Sequence, residues 1–220
     1  MNFSRGTIRS SPYIGIFSCT TEDICLLPHN TLPKEQKAVE QALDVEAIKA
    51  MIGGSTLLGV LAKGMGRKIA VSSITEDSEV KMLESKGLDV IRVAGYTATG
   101  NLIAMNKNAG ITSPLLKDGA REQLEAFFGI KFHEKRVANS DVVGACLTVT
   151  NKGFIAHPNI SEDEFGKIEK IFGTTGIATT ANYGDLFVGN SVVANSKGVI
   201  AGSLTSGIEM GKIDEGLRGE

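Results

Sequence analysis

Cys146, His157 and His133, with the acidic residues Asp141 and Glu134, are the side chains of this 220-residue chain whose types could do covalent chemistry. A thiol becomes a nucleophile when a neighbouring imidazole takes its proton and a carboxylate orients that imidazole. It also needs a polar, electropositive and accessible setting. Cys146 stands between Ala145 and Leu147 early in an apolar run, so a small buried hydrophobe is the expectation there. Other chemistries fail on spacing. "KGMGRKI" (63–69) has Gly64 and Gly66, but the third glycine of a dinucleotide fingerprint falls on Ile69. "GGSTL" (53–57) ends on Leu57 where a nucleophile elbow requires glycine. Cys19, Cys25 and His29 do not have a usual zinc spacing. No catalytic residue, metal or cofactor is expected. Lys63, Arg67 and Lys68 form a basic group without a nearby acid in sequence, and they are candidate contacts for the phosphates of an RNA partner. The plainer reading is a solvated turn.

Bulk composition narrows the classes further. A net charge of −2 and a pI of about 6.0 argue against a broad grip on nucleic acid, so any RNA contact should be local. Hydrophobic content of 42% and charged content of 22% suit a globular protein. No apolar run approaches the roughly 20 residues of a membrane helix. The N-terminus lacks an apolar core of the secretory kind. Three cysteines without a framework spacing suit free thiols in a reducing compartment, so a cytoplasmic location is expected. Glycine is the outlier, at 26 of 220 residues.

The glycines repeat. Gly15, Gly59, Gly100, Gly144 and Gly189 lie 44, 41, 44 and 45 residues apart. Each precedes a short run of Ile, Val, Leu or Ala, then a turn ("TTED", "GMGR", "NKNAG", "NKG", "NSKG") and a second apolar run. Two such runs about an Asn/Gly turn read as a β-hairpin. A helix signal follows. Ser161 and Glu164 make a capping box ahead of Phe165, Ile168 and Phe172 on one helical face. Ala120, Leu124, Phe127 and Phe128 repeat that spacing, as do Val80 and Leu83 after Thr75. Gly87, Gly129 and Gly173 follow the helix ends, as left-handed caps do. A third strand closes each unit: "EAIKAMI", "DVIRVA", "KFHEKRV", "GIATTA".

The unit is therefore strand, strand, helix, strand in about 44 residues, an α/β (α+β) design. Units run over about 13–52, 53–95, 96–138, 139–182 and 183–217. The fifth lacks its last strand, while residues 3–10 precede the first unit unused. "GTIRSSPYIG" (6–15) parallels "GIATTANYGDLFVG" (176–189), so the N-terminal strand is expected to complete the fifth unit and close a ring. Closure removes open sheet edges. One unit cannot bury its own apolar face, but five in a ring can. Residues 1–220 should then be a single domain.

A five-fold pseudosymmetric αβ propeller of this unit is the pentein architecture. "PYIGIF", "TTED", "IGGSTLLGVLA", "TATGNLIAMNKNAGITSP", "VVGACLTVTNKGFIAHP" and "VGNSVVANSKGVIAGSLTSG" resemble the archaeal translation initiation factor 6 family over residues 7–217. The resemblance implies a non-enzymatic monomer that binds the large ribosomal subunit on its intersubunit face. The contact would lie near the sarcin–ricin loop and neighbouring ribosomal proteins, and it would prevent joining of the small subunit. A part in large-subunit maturation is implied as well. Unit two departs from the family pattern at "AKGMGRKIAVSSIT", which puts the geometry of that turn in question. The alternative on the same architecture is an enzyme of the amidinotransferase and deiminase kind, acting on arginine derivatives with Cys146 as nucleophile.

A partner without five-fold symmetry should be met by positions that vary between units. The residues after the repeated glycines do vary: Ile16, Val60, Asn101, Ala145 and Asn190. Asn101 and Asn190, with Thr99, Leu58, Tyr183 and Asp141, are the expected ribosome-facing residues. Against this, each asparagine could simply cap its own turn.

Overall fold

A computed structural model describes residues 1–219. The chain opens with β1 (Asn2–Gly6). Unit one follows with α1 (Ile14–Phe17), β2 (Cys19–Thr20), β3 (Ile24–Pro28), α2 (Pro33–Leu43) and β4 (Glu46–Ala50). Unit two has α3 (Leu58–Leu61), β5 (Ala62–Met65), β6 (Lys68–Ser72), α4 (Asp77–Ser85) and β7 (Asp89–Val93). Unit three has a 3-10 turn (Thr99–Leu102), β8 (Ile103–Met105), β9 (Ala109–Thr112), α5 (Asp118–Phe128) and β10 (Lys131–Glu134). Unit four has α6 (Val143–Cys146), β11 (Leu147–Val149), β12 (Phe154–Ala156), α7 (Glu162–Phe172) and β13 (Gly176–Ala178). Unit five has α8 (Val188–Ser191), β14 (Val192–Ala194), β15 (Gly198–Gly202) and α9 (Gly207–Arg218). This is the expected pentein fold class.

Each unit makes one three-stranded sheet. An antiparallel hairpin supplies two strands, and the strand after the long helix lies parallel to the second of them. In the fifth sheet that place is taken by β1, in register from Asn2↔Gly198 to Gly6↔Gly202. The strand is residues 2–6, somewhat earlier than the 3–10 read from sequence. Ile8 and Ser11 then bracket a turn in which Arg9 and Ser10 have positive φ.

The repeated glycines sit in one-turn helices just ahead of the hairpins. The reason is close approach of backbones. A Cβ on Gly59 would lie 1.8 Å from the Gly15 carbonyl oxygen, on Gly100 2.0 Å from that of Gly59, and on Gly144 2.1 Å from that of Gly100. Gly189 would meet Gly144 at 2.2 Å, and Gly15 would meet Gly189 at 2.0 Å. Unit packs on unit around the molecule through backbone that no other residue type allows.

The hairpin turns tie neighbouring units together at the opposite end. Asn106 Oδ1 accepts from the N–H groups of Asn108 and Ala109, shaping its own turn, while its Nδ2 donates to the Phe172 carbonyl of α7 at 3.0 Å. Asn195 does the same with Lys197 and Gly198, and reaches Leu43 O of α2 at 2.8 Å. Helix C-termini leave carbonyls without partners, and these amides fill that need from the adjacent unit. Unit two has Met65 at this position. There Lys68 Nζ reaches Phe127 O of α5 at 2.7 Å instead, and Arg67 Nε reaches Gly87 O at 3.0 Å. The unusual sequence of that turn replaces the amide that reaches the next unit with Lys68, while Arg67 caps the end of its own unit's helix.

The core follows the seams between units. Ile48, Ile52, Leu58, Ile69 and Leu83 share one buried cluster, and Phe154, Ile168 and Phe172 anchor another.

Candidate functional site

The six residues expected on one surface separate in the structure. Leu58 and Thr99 are fully buried, each 0% exposed, and are not surface residues. They immediately precede the central glycine, and every residue there (Ile14, Leu58, Thr99, Val143, Val188) points into the core. The first helical residue must do so, because its unit is anchored to the next at that point. Asn101 and Asn190 follow the glycine and line a central cavity. Their backbone N–H groups bond to Ala98 O and Phe187 O at 3.0 and 2.9 Å. Among the described residues their side chains make no hydrogen bond, so they do not cap their own turns. Tyr183 is 85% exposed with φ of 63°. Asp141 accepts from Arg136 Nε at 2.8 Å, an ion pair at the surface.

Tyr183 belongs to a recurring feature. Tight turns with consecutive positive-φ residues lead into units one, two, four and five: the pairs Arg9–Ser10, Gly53–Gly54 and Ala138–Asn139, and the three residues Asn182, Tyr183 and Gly184. Two positive φ values in a row mark the mirror-image turns of hairpins. Each is held by a carboxylate from the first turn of its unit's long helix. Glu35 accepts from Arg9 N and Ser10 N, and Glu79 from Gly53 N (2.6 Å) and Gly54 N (2.9 Å). Glu164 accepts from Ala138 N (3.0 Å), and Glu209 from Tyr183 N (3.2 Å) and Gly184 N (2.9 Å). All four stand twenty residues after the repeated glycine; unit three has Ala120 there. In its place the Tyr96 phenol oxygen accepts from Lys117 N at 2.9 Å. Reading the chain for its hairpins missed this clamp. The visible signal was a Glu at a constant distance from four of the five glycines.

Burial alone would raise the Glu209 carboxyl. Donation from the Ser206 N–H, the Thr180 hydroxyl and the Gly184 N–H outweighs this and holds it down at about 2. The clamp is thus a charged one. It draws the turns and the helix N-termini to one end of the molecule.

That end carries the large exposed apolar side chains. Tyr183, Leu186, Leu204 and Ile208 belong to unit five, Tyr13 and Leu32 to unit one, and Met51, Leu57 and Ile74 to the approach to and body of unit two. Leu115 of unit three adds to them. Ile208 is 80% exposed although it sits on a helix. A group of exposed apolar side chains concentrated at one end is a mark of a contact surface.

A family model described as "eIF-6 family" matches residues 3–216. This chain belongs to the eIF-6 family. Its relatives include "Translation initiation factor 6" of Methanobrevibacter smithii, 37% identical over 97% of this chain and 96% of that protein. The same-named protein of Methanosarcina mazei is 34% identical over 96% and 95%, and that of Pyrococcus abyssi 32% identical over 99% of each. Among solved structures, "DDAH" from Pseudomonas aeruginosa, a mutant complexed with citrulline, is 15% identical with a TM-score of 0.41, covering 93% of this chain and 72% of its own. Agmatine deiminase of C. jejuni is 14% identical with a TM-score of 0.40, covering 56% and 50%.

The eIF-6 relatives are named as translation factors, and Cys146 lacks the setting of a nucleophile. It is fully buried, and burial pushes its thiol up to about 11. Its link to His157 is through backbone, His157 N donating to Cys146 O at 2.9 Å. His157 Nδ1 accepts from Asn159 N, and burial lowers its pKa. His133 is exposed on β10 and Glu134 pairs with Arg121. Among the described residues no hydrogen-bond relay joins these side chains.

The basic group disperses too. Arg67 pairs with Glu46 at 3.1 Å and donates to Gly87 O and Lys86 O, so an acid lies beside it after all. Glu46 is distant in sequence but β4 and β6 belong to adjacent units. Lys68 is held by Phe127, both at its carbonyl and over its ring. Lys63 turns inward to the central cavity. Among the described residues no helix is long and apolar enough to cross a membrane.

Proposed function

We propose that this member of the eIF-6 family binds the large ribosomal subunit on its intersubunit face and thereby keeps the small subunit from joining. Its role is in translation initiation, as the naming of its relatives indicates. The observation that carries the finer reading is the single end rich in exposed apolar side chains, led by Tyr183 and Ile208. The turns there are pinned by Glu35, Glu79, Glu164 and Glu209, so this surface is preorganised. Preorganised surfaces lose less entropy on binding.

In this reading residues 1–220 act as one monomeric cytoplasmic domain, and occupancy alone blocks joining. A rigid body on shared surface excludes the small subunit without bond-making or cofactor, and release is driven from outside. Large-subunit maturation is a second setting for the same contact. Tyr183 and Asp141 lie on the contact surface. Asn101 and Asn190 meet only a group that reaches the axis. Rim contacts to the sarcin–ricin loop region and nearby ribosomal proteins complete the footprint. Arg67 and Lys68 already serve the fold, so they contribute to rRNA binding only by exchanging partners.

Density-gradient sedimentation with purified subunits tests this. The protein should travel with the large subunit and deplete the joined ribosome peak, and Tyr183→Ala with Ile208→Ser should weaken both effects together. Normal joining with the protein left at the top of the gradient overturns the proposal.

A further inference from the structure

The central cavity holds one charge that the fold leaves unused. Its wall is made by the five glycines and the first strands of the five hairpins, around a solvent-open space of about 100 Å³. Four residues past the glycine these strands carry Cys19, Lys63, Ala104, Thr148 and Val193. Four of these are short and buried against the next unit. Thr148 Oγ1, for example, donates to Val188 O of unit five at 3.4 Å. Lys63 is the exception, a long cation where its counterparts are small.

Among the described residues the Lys63 ammonium has no hydrogen bond and no ion pair. Burial lowers its pKa below that of an ordinary lysine. The titratable group acting on it is the Cys19 thiol, which burial pushes up to about 11. That thiol is neutral at pH 7 and supplies no counter-charge. Glu22 also lines the cavity, but its carboxylate is taken by the N–H and hydroxyl of Ser196 and by Asn151 Nδ2. The half-buried ammonium therefore faces the solvent of the cavity, where an anion would supply the counter-charge that the fold does not.

Other donors share the space. The counterpart of Lys63 in unit four, Thr148, reaches the helical turn of the following unit. Lys63 correspondingly abuts the turn of unit three, where a Cβ on Gly100 would lie 2.5 Å from Ala62 O. That turn carries Asn101, and Asn190 lines the same cavity from unit five. Both amides are without partners among the described residues. An ammonium offers three donors and each amide two, which suits a small tetrahedral oxyanion.

We propose that the central cavity is a binding site for a free inorganic oxyanion of phosphate size, held by Lys63 with the side-chain amides of Asn101 and Asn190. This goes beyond ribosome binding and does not depend on it.

The test is calorimetric and thermal titration of the full chain with inorganic phosphate at constant ionic strength, balanced with chloride. Wild type should show saturable single-site binding and a rising Tm. Lys63→Met should lose at least about tenfold in affinity, which is 1.4 kcal/mol, and should melt no lower than wild type without phosphate. Lys63→Arg should keep binding. NMR of the lysine Nζ gives a readout on the unmutated protein: phosphate should raise the Lys63 pKa. Equal stabilisation of wild type and Lys63→Met, no stabilisation beyond chloride, or an unmoved Lys63 titration overturns the site. A single-stranded RNA oligonucleotide at matched phosphate concentration should not displace the anion. Displacement would make Lys63 a nucleic-acid backbone contact and overturn the free-anion proposal.

Discussion

At the seam between units one and two, β4 presents Ile48 and Ala50 to a core that also holds Leu83 of α4. At the seam between units five and one, the positions in equivalent register on β1 are Ser4 and Gly6, and α2 offers Val39 where α4 has Leu83. Side chains fill the first seam. The second leaves a solvent-open pocket of about 320 Å³, lined by Ser4, Gly6, Ile8, Val39, Ala42 and Ile200 among others. The helix is nonetheless tight at the far end of the strand, where a Cβ on Gly198 would lie 1.7 Å from Ala42 O. The sheet that the N-terminal strand completes therefore relies more on its backbone ladder and less on packing than its neighbours do.

The largest test removes that ladder. Deleting residues 1–10 should expose the edge of β15 and the side chain packed under Phe3, lowering Tm on the order of 10 °C. An unchanged melting curve would sink the view that β1 closes the ring. Next in size are the glycine contacts, which occur at both kinds of seam. Gly15→Ala and Gly59→Ala should each destabilise by about 3 kcal/mol, since backbone on both sides leaves no room to relax. A much milder Gly15→Ala in denaturant melts would show that the first–fifth seam yields where the first–second does not.

The carboxylate clamps come third. Glu209→Gln should cost about 1–3 kcal/mol, because it replaces the charged acceptor of the Ser206, Tyr183 and Gly184 N–H groups and the Thr180 hydroxyl by a neutral amide. The acid dependence has a defined sign. The folded carboxyl sits at about 2 against an ordinary 4.5, so its stabilisation is complete above 4.5 and fades as pH falls toward 2. Wild type and Glu209→Gln should therefore converge in stability across that window; a constant gap would refute the charged clamp. The smallest effect is a gain. Ser4→Ile copies Ile48 into the looser seam and should add about 1 kcal/mol, or roughly 2–4 °C. A loss would mean the cavity cannot accept a side chain lying in that register.

The repeat was legible because it is written in local terms. Hairpin turns, helix caps and apolar spacing recur with the glycines, and they placed every unit and the strand that completes the fifth. The surface was less legible. Leu58 and Thr99 were expected on the surface beside the variable positions, yet both are core residues, because a one-turn helix inserts ahead of each hairpin and rotates them inward. Lys63, Arg67 and Lys68 are neighbours in sequence but serve three different places, since alternate residues of a hairpin face opposite ways. The Glu clamps were readable as a spacing, but their partners are turns 25 and 26 residues earlier in the chain, which no local rule connects.

By itself, then, the sequence determined the repeating unit, the number of units and the family. These depend on residue types whose preferences act over a few neighbours. Only the tertiary structure decided which side chains face the core, the axial cavity or the apolar end. Those outcomes depend on how closely one unit's backbone approaches the next, and that distance is set by contacts between residues more than forty positions apart, such as Gly15 with Gly59.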